Sequence, residues 1–291
     1  MVESPPETIP ESFEYVHCYL CGADDTRLVW QKRERTVVQC NVCDLIYTNP
    51  RPRFDKVFAE VYDVGESYLS KTERATKPAR IRTYRRFLKE LEPFRQTNSI
   101  LEIGSGFGYF LNEARMLGWQ GVGVEVSPFS VEYARRTYGV EVLLGTLEQH
   151  LEALRRTPFD VVALWNVFEH LPDPLGSLRQ FHALLRAGGA LLIKVPDARA
   201  LTMTPRTLGQ RLFHRRYLRR YYPVLAHMHL IHLTPETFGK MAAVSGFAPP
   251  AIYDHFPPEQ RPTRNLRWAL RHRLYIALGF PYNFVAITRK P

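Results

Sequence analysis

The sequence of 291 residues has few cysteines, and this and other absences exclude several classes of protein. All four cysteines lie within the first 43 residues, so a disulfide framework along the whole chain is excluded. The longest apolar stretch, residues 274–287, is interrupted by glycine, proline and asparagine, which excludes a membrane span of about 20 apolar residues. Residues 1–12 carry acids and three prolines where a secretory signal has a basic end and an apolar core. We therefore expect a cytoplasmic chain.

Acidic residues are missing from two late segments. Residues 198–235 contain seven arginines and residues 260–291 contain seven basic residues, and these segments carry all the excess charge behind the net +10. They are either solvated arginine surfaces or attract an anionic substrate, a nucleic acid or a membrane surface. Within the second, residues 264–278 combine leucines at helical spacing with arginines on another face. This pattern predicts a basic amphipathic helix that packs into the core or makes peripheral contact with an anionic membrane.

The cysteines form two C-x2-C pairs, Cys18 with Cys21 and Cys40 with Cys43. Each pair can present two thiolates from one tight turn, and two such turns complete a tetrahedral four-sulfur site suited to Zn²⁺. Because four thiolates leave no open coordination position, we expect the metal to be structural and unnecessary for the chemical step. Four free thiols or two disulfides are the alternatives. Short apolar segments flank the pairs, so we predict a zinc ribbon over residues 13–60.

The remaining pattern predicts a second, larger domain. With 45% apolar and 12% aromatic residues, the chain can form a sizeable core. Residues 1–12 are predicted to be a disordered tail, and 61–96 a linking segment with a helix of about 65–92. Beyond it, short apolar runs alternate with helical segments, which is typical of a parallel sheet with crossover helices. The predicted strands are 99–103, 121–126, 140–144, 159–165 and 190–195.

Helix ends are also marked in the sequence. A capping side chain precedes a proline at Ser127, Asp173 and Thr234, and Thr146 with Gln149 makes a capping box, so helices are predicted to begin there. Glycines stand where helices should stop, at 118, 139, 188 and 246.

The first predicted strand leads into L-E-I-G-S-G-F-G-Y-F, with glycines at 104, 106 and 108. Glycine lets the chain turn sharply and approach a ligand closely, at the edge where open parallel sheets bind cofactors. A dinucleotide-binding turn is disfavoured, because the third glycine comes one residue early. Glu102 would also repel a pyrophosphate and attract a cation or an ammonium group. Glu125, at the end of the second strand, is placed to accept hydrogen bonds from both hydroxyls of a ribose.

Three motifs together resemble a known family. They are this glycine turn, the G-V-G-V-E-V-S-P that follows, and F-D-V-V-A-L-W-N-V-F-E-H-L-P-D-P at 159–174. They look like the motifs of class I S-adenosylmethionine-dependent methyltransferases, over roughly residues 97–291. The cysteine pairs followed by N-P-R-P are similar to a bacterial group in which a zinc ribbon precedes this domain. The resemblance implies an α/β fold with a Rossmann-like seven-stranded sheet, and S-adenosylmethionine as cofactor beside structural zinc.

The resemblance also implies cofactor contacts. In this family the glycine turn lies under the methionyl part of the cofactor, which here gives Glu102, Gly104, Ser105, Gly106 and Phe110. Glu125 becomes the ribose acid and Val126 a neighbour of the adenine. Asn166 follows the fourth strand, where the family closes over the cofactor, whereas Thr146 fits less well because many relatives have an acid nearby. If the resemblance is set aside, each residue has a simpler explanation. Glu125 is then a solvated residue at a strand end, Asn166 forms a turn, and Phe110 is an aromatic residue of the core.

Histidines are the candidate catalytic bases. The sulfonium cofactor already carries an activated methyl group, so the protein must orient the acceptor and, where needed, remove its proton. The candidates are His170 after the fourth strand, and His229 and His232, which resemble the histidine-containing approach to the helix before the sixth strand in small-molecule methyltransferases. Alternatively, His170 caps its loop, and the other two occupy core or surface positions.

The arginine-rich segment bears on the acceptor. Residues 198–235 fall where this fold commonly inserts a substrate cover, and their arginines interleave with aromatic residues that suit phosphate and a sugar or ring. We favour methylation of an anionic small molecule, or of a sugar or lipid on a carrier. The alternative is an RNA methyltransferase, although the loop after the fourth strand lacks an N-P-P-Y-type sequence. A noncatalytic binding module is disfavoured, because the glycine turn and the ribose acid are intact.

Overall fold

The computed structural model describes residues 11–32, 35–53, 69, 77–202, 229–255 and 283–291. Most of the predicted tail, most of the predicted substrate cover and the predicted amphipathic helix lie outside these ranges. The predicted linking helix is described from Lys77 onward.

The N-terminal unit is built from short strands: β1 (Phe13–Glu14), β2 (Thr26–Lys32), β3 (Arg35–Cys40), β4 (Ile46–Thr48) and β5 (Arg51–Pro52). Strands β2, β3 and β4 pair antiparallel, and β1 pairs with β5. Arg51 fixes the end of this unit. Its guanidinium donates to Glu14, to the Tyr19 hydroxyl and to the backbone carbonyl of Pro172, which belongs to the larger domain.

The four cysteines converge between these strands. The sulfur atoms of Cys18 and Cys43 are 3.4 Å apart, those of Cys21 and Cys40 are 3.5 Å apart, and all four lie within 4.8 Å of one another. Tetrahedral zinc with Zn–S bonds of about 2.3 Å needs sulfur atoms about 3.8 Å apart. The sulfur atoms therefore fit one zinc ion, and the thiols are not paired as disulfides.

The larger domain alternates strands and helices. Its strands are β6 (Ser99–Ile103), β7 (Gln120–Glu125), β8 (Glu141–Leu144), β9 (Phe159–Trp165), β10 (Leu185–Pro196), β11 (Ile231–His232), β12 (Ala251–His255) and β13 (Asn283–Arg289). Its α-helices are α1 (Lys77–Leu91), α2 (Tyr109–Met116), α3 (Pro128–Tyr138), α4 (Leu147–Leu154), α5 (Pro174–Leu184), α6 (Arg199–Thr202) and α7 (Pro235–Val244).

Seven of these strands form the central sheet, in the order β12-β13-β10-β9-β6-β7-β8. All pairings are parallel except those of β13, which runs antiparallel to both neighbours. This confirms the predicted seven-stranded α/β fold. Every residue of β9 is buried, as expected for a central parallel strand with both faces covered. The carboxyl ends of β6, β7 and β9 therefore meet at one edge, where the sequence places its candidate site.

The predicted helix starts are present. The side chains of Ser127, Asp173 and Thr234 accept hydrogen bonds from the first turns of α3, α5 and α7, and the Gln149 side chain accepts from the Thr146 backbone N–H at 2.8 Å. These caps satisfy N–H groups that a helix leaves without partners.

Strand β10 departs from the prediction. It begins at Leu185, five residues before the predicted start at Ala190, and its pairing with β9 shifts register between these two residues. Gly188, predicted to stop a helix, lies within this irregular stretch with φ +74°. The sequence pattern misses the early start because Arg186 and two glycines interrupt the apolar run.

Strand β11 joins the two domains. It comes from the larger domain but pairs antiparallel with β4, so that Ile231 lies opposite Tyr47 and His232 opposite Ile46. The sheet order is β11-β4-β3-β2. Tyr47 and Leu45 of the ribbon are fully buried in the same apolar cluster as Phe168 of the larger domain. The ribbon is thus packed against the candidate site through a continuous core.

Among the described residues, no helix combines the length and the apolar character that a bilayer crossing requires.

We predict that freshly purified protein contains one zinc per chain, measured by elemental analysis. Cys40→Ser removes one ligand, so the zinc content should fall well below one equivalent per chain. Hydrogen exchange of the backbone amides across residues 35–48 should become faster, because metal binding and ribbon folding are coupled. Val42→Ser is the matched control, since Val42 lies in the same turn but is 65% exposed. A zinc-free preparation with slow exchange in this region would contradict the assignment.

Candidate active site

The glycine turn after β6 requires backbone that only glycine adopts easily. Gly104, Gly106 and Gly108 have φ of +69°, +50° and +75°. A Cβ on Gly104 would lie 2.4 Å from the Val167 side chain, and one on Gly108 would lie 2.8 Å from Ala134. At Gly106, no described atom lies within 4 Å of the Cβ position. The turn is therefore closely packed at Gly104 and Gly108, and it leaves space for a ligand at Gly106.

Glu125 joins the glycine turn to the end of β7. Its Oε2 accepts from the Gly106 N–H at 2.8 Å, and its Oε1 accepts from the N–H groups of Val126 and Ser127, each at 2.9 Å. A carboxylate has about four lone-pair positions, so these three bonds fix its orientation and leave capacity for a hydroxyl donor. The side chain is half-buried. This geometry suits the predicted ribose acid better than a free, solvated strand end.

Glu102 is a buried carboxyl group on β6, only 2% exposed. Burial, and next the Glu125 carboxylate, raise the pKa of Glu102 well above its usual range. Its Oε2 and the nearby Ser105 hydroxyl have no hydrogen-bond partner among the described residues. Buried polar atoms of this kind are normally satisfied, so the site fits a ligand that brings a cationic donor to the turn. The methionyl ammonium group of S-adenosylmethionine is such a donor.

Three of the other predicted cofactor residues follow the carboxyl ends of β7, β8 and β9, whereas Phe110 lies in the first turn of α2. Val126 is half-buried after β7, and Thr146 precedes α4 beside the Gly145 N–H, which donates to the Glu125 carbonyl at 2.9 Å. Asn166 is exposed after β9, with φ +57°. Phe110 is 1% exposed and packs against Tyr84 and Trp165 in the core. Direct contact of these four side chains with the cofactor stays a prediction.

The three candidate histidines are brought together. His170 ends a 3-10 helix, Phe168–His170, directly after β9, and its ring centroid lies 4.8 Å from that of His229. The His229 ring centroid lies 6.1 Å from that of His232. Burial lowers the pKa of His229 well below its usual range and that of His232 to about 3, so burial favours neutral imidazoles at both positions.

Glu169 is the residue of this cluster that the sequence reasoning missed. It is 2% exposed, and neither carboxylate oxygen has a hydrogen-bond partner among the described residues. Burial raises its pKa, and its Oε1 lies 4.0 Å from the His229 Nε2. Its position beside His170 in the E-H-L motif was the available signal. We define Glu169, His170, His229 and His232 as the histidine cluster.

The histidine cluster offers acid–base and ligand chemistry at one place. A neutral imidazole accepts a proton, and a buried carboxylate stabilises the imidazolium that results. The ligand atoms of Glu169, His170 and His229 all lie within 4.8 Å of one another, so these three groups can also hold a divalent cation. The cluster lies close to the glycine turn, because Val167, which contacts Gly104, precedes it by two residues.

A family model described as a methyltransferase domain matches residues 76–249, which is more than half of the chain. Among curated proteins, the chain is 28% identical over 154 residues to the ubiquinone biosynthesis O-methyltransferase of Aeromonas salmonicida, covering 50% of this chain and 61% of that one. It is 27% identical over 169 residues to the enzyme of the same name from Dinoroseobacter shibae, covering 57% and 66%. The chain thus spans less than two thirds of the length of these relatives.

Solved structures support the fold. An S-adenosylmethionine-dependent methyltransferase from Archaeoglobus fulgidus aligns with a TM-score of 0.55 at 17% identity, over 78% of this chain and 100% of that one. The phosphoethanolamine N-methyltransferase 2 of Haemonchus contortus, in complex with S-adenosylmethionine, aligns with a TM-score of 0.53 at 17% identity, over 84% and 63%. The family match and the motifs agree with this fold. The chain therefore belongs to the methyltransferase domain family, and its fold is that of class I S-adenosylmethionine-dependent methyltransferases.

Proposed function

We propose that this enzyme transfers the methyl group of S-adenosylmethionine to a hydroxyl oxygen of a small-molecule or carrier-linked acceptor. The observation that carries the proposal is the convergence of three histidines and the buried Glu169 beside Val167, whose side chain packs on the glycine turn at Gly104. The bound cofactor supplies an electrophilic methyl group on a sulfonium ion. The remaining requirements are an oriented acceptor and a place for its proton.

The cofactor side of the proposal rests on Glu102 and Glu125. The Glu102 carboxyl would receive the ammonium group of the methionyl part, and this contact would satisfy its Oε2, which has no partner among the described residues. Glu125, held by three backbone N–H groups, receives the ribose hydroxyls. Both groups attract cationic or hydrogen-bond-donating ligands and repel phosphate. They therefore favour binding of S-adenosylmethionine, which has no phosphate, over binding of NAD, which has a pyrophosphate.

The acceptor side rests on the histidine cluster. S-adenosylmethionine would supply the methyl group and leave as S-adenosylhomocysteine, with the electron pair of the broken S–C bond kept on sulfur. The acceptor oxygen that takes the methyl group would lose its proton to an imidazole of His170 or His229. Glu169 then lies near the imidazolium, where its charge stabilises the proton.

The acceptor class is supported by the relatives. The two O-methyltransferases named above act, by their names, in ubiquinone biosynthesis, and they share this part of the chain at 27% to 28% identity.

Arg199 of the arginine-rich segment pairs with Asp197 and Asp254, so this arginine is already neutralised. The proposal of an anionic acceptor therefore depends on the six arginines of 203–228, which lie outside the described residues. The proposed cytoplasmic location is supported by the four cysteines, which are arranged as one metal site and not as disulfides.

Glu125→Ala should weaken S-adenosylmethionine binding about tenfold to hundredfold for each charge-assisted hydrogen bond lost. Isothermal titration calorimetry measures the effect. Glu132→Ala is the matched control, because Glu132 is an exposed acid on α3 and should leave the Kd unchanged. An unchanged Kd in Glu125→Ala would remove Glu125 from the site, and micromolar NAD binding in place of S-adenosylmethionine would overturn the cofactor assignment.

His170→Gln and His229→Gln should lower kcat by about 10²-fold to 10⁴-fold if the replaced ring receives the acceptor proton, with the Kd for S-adenosylmethionine unchanged. The acceptor is first found by transfer of a labelled methyl group to small-molecule, lipid, nucleotide-sugar and RNA fractions. His182→Gln is the control, since the His182 ring packs on Phe247, away from the cluster. Full activity in both cluster variants would contradict the proposed base, and label found only in RNA would contradict the proposed acceptor class.

A further inference from the structure

The ribbon makes a contact with the histidine cluster that a purely structural metal unit does not require. Thr48, the last residue of β4, is 2% exposed. Its Oγ1 donates to the backbone carbonyl of His229 at 2.8 Å and lies 3.3 Å from the Nε2 of His232. Its backbone N–H donates to the carbonyl of Leu230 at 3.0 Å. One ribbon residue thus contacts three residues of the histidine-bearing segment.

We infer that Thr48 is a positioning residue of the methyltransferase, which sets the tautomer of His232 and the placement of His229 in the acceptor site. The inference rests on the proposed function for its effect on catalysis. It goes beyond that function in giving the zinc ribbon a role at the site, through β4 and not through the metal.

The two hydrogen bonds of the Thr48 hydroxyl determine the tautomer of His232. A threonine hydroxyl has one hydrogen to donate, and the His229 carbonyl receives it. The contact with His232 must then use an oxygen lone pair, so the Nε2 of His232 carries the hydrogen. A buried, neutral imidazole with hydrogen on Nε2 has its lone pair on Nδ1. Without the Thr48 hydroxyl, nothing in this contact distinguishes the two neutral tautomers.

The same hydroxyl places His229. It holds the His229 carbonyl, while the next residue, Leu230, is held on both sides: its carbonyl accepts from Thr48, and its N–H donates to the Glu169 carbonyl at 2.8 Å. The His229 ring then lies between the rings of His170 and His232. A shift of the His229 backbone would therefore move its imidazole relative to His170 and to the glycine turn, which Val167 contacts just before the cluster.

The experiment compares Thr48→Val, Thr48→Ser and Thr288→Val in the full, zinc-loaded chain. Thr288 is a matched control: it is also 2% exposed, and its hydroxyl also donates to a backbone carbonyl, that of Ala248, but on β13. The first measurement is the ¹⁵N NMR spectrum of the imidazoles with S-adenosylhomocysteine bound, which distinguishes the tautomers without an acceptor. The second is kcat, KM and cofactor Kd with the acceptor fraction found by labelled transfer.

We expect Thr48→Val to lower the population of the Nε2–H tautomer of His232 and to lower kcat at least tenfold with cofactor Kd unchanged. Thr48→Ser should restore the Nε2–H tautomer and most of the activity, whereas Thr288→Val should change neither. A single, unchanged His232 tautomer in Thr48→Val would overturn the inference, as would a kcat loss no greater than that of Thr288→Val. If the cluster variants in His170 and His229 retain activity, the proposed function fails, and the NMR comparison still decides the role of Thr48.

Discussion

The structure depends on one short stretch of backbone pairing, residues 230–232. Leu230 is hydrogen-bonded to Thr48 of the ribbon on one side and to Glu169 of the larger domain on the other. Ile231 and His232 continue the pairing along β4. This brings His229 between His170 and His232, and it fixes the ribbon beside the histidine cluster. The metal-binding unit and His232 of the histidine cluster therefore share one sheet.

Two buried carboxyl groups determine which ligand charge the site favours. Glu102 lies on β6 and Glu169 directly after the adjacent strand β9. Burial is the largest cause of the raised pKa of each, which means that both positions disfavour an unpaired negative charge. A cofactor with an ammonium and a sulfonium group offsets this cost, whereas a pyrophosphate would add to it. This physical argument, more than the glycine spacing alone, accounts for the choice of cofactor.

Local features of the fold were predictable from the sequence. Buried strands such as β9, helix caps such as Ser127, and the two cysteine pairs each depend on residues close together in the chain. The position of Glu125 follows from strand length and turn geometry in the same way. The start of β10 was missed because a bulge with glycines hides its pattern. The pairing of β11 with β4 has no local signal, since Thr48 and His232 are 184 residues apart and β11 has only two residues.

The central claim is that the cofactor and the histidine cluster meet at the carboxyl edge of β6 and β9. A crystal structure of the chain with bound S-adenosylhomocysteine tests it most directly. The account predicts ribose hydroxyls within about 3.2 Å of the Glu125 carboxylate, the ammonium group at Glu102, and the sulfur atom facing His170 and His229. A ribose bound away from Glu125, or a sulfur atom facing away from the cluster, would contradict the account.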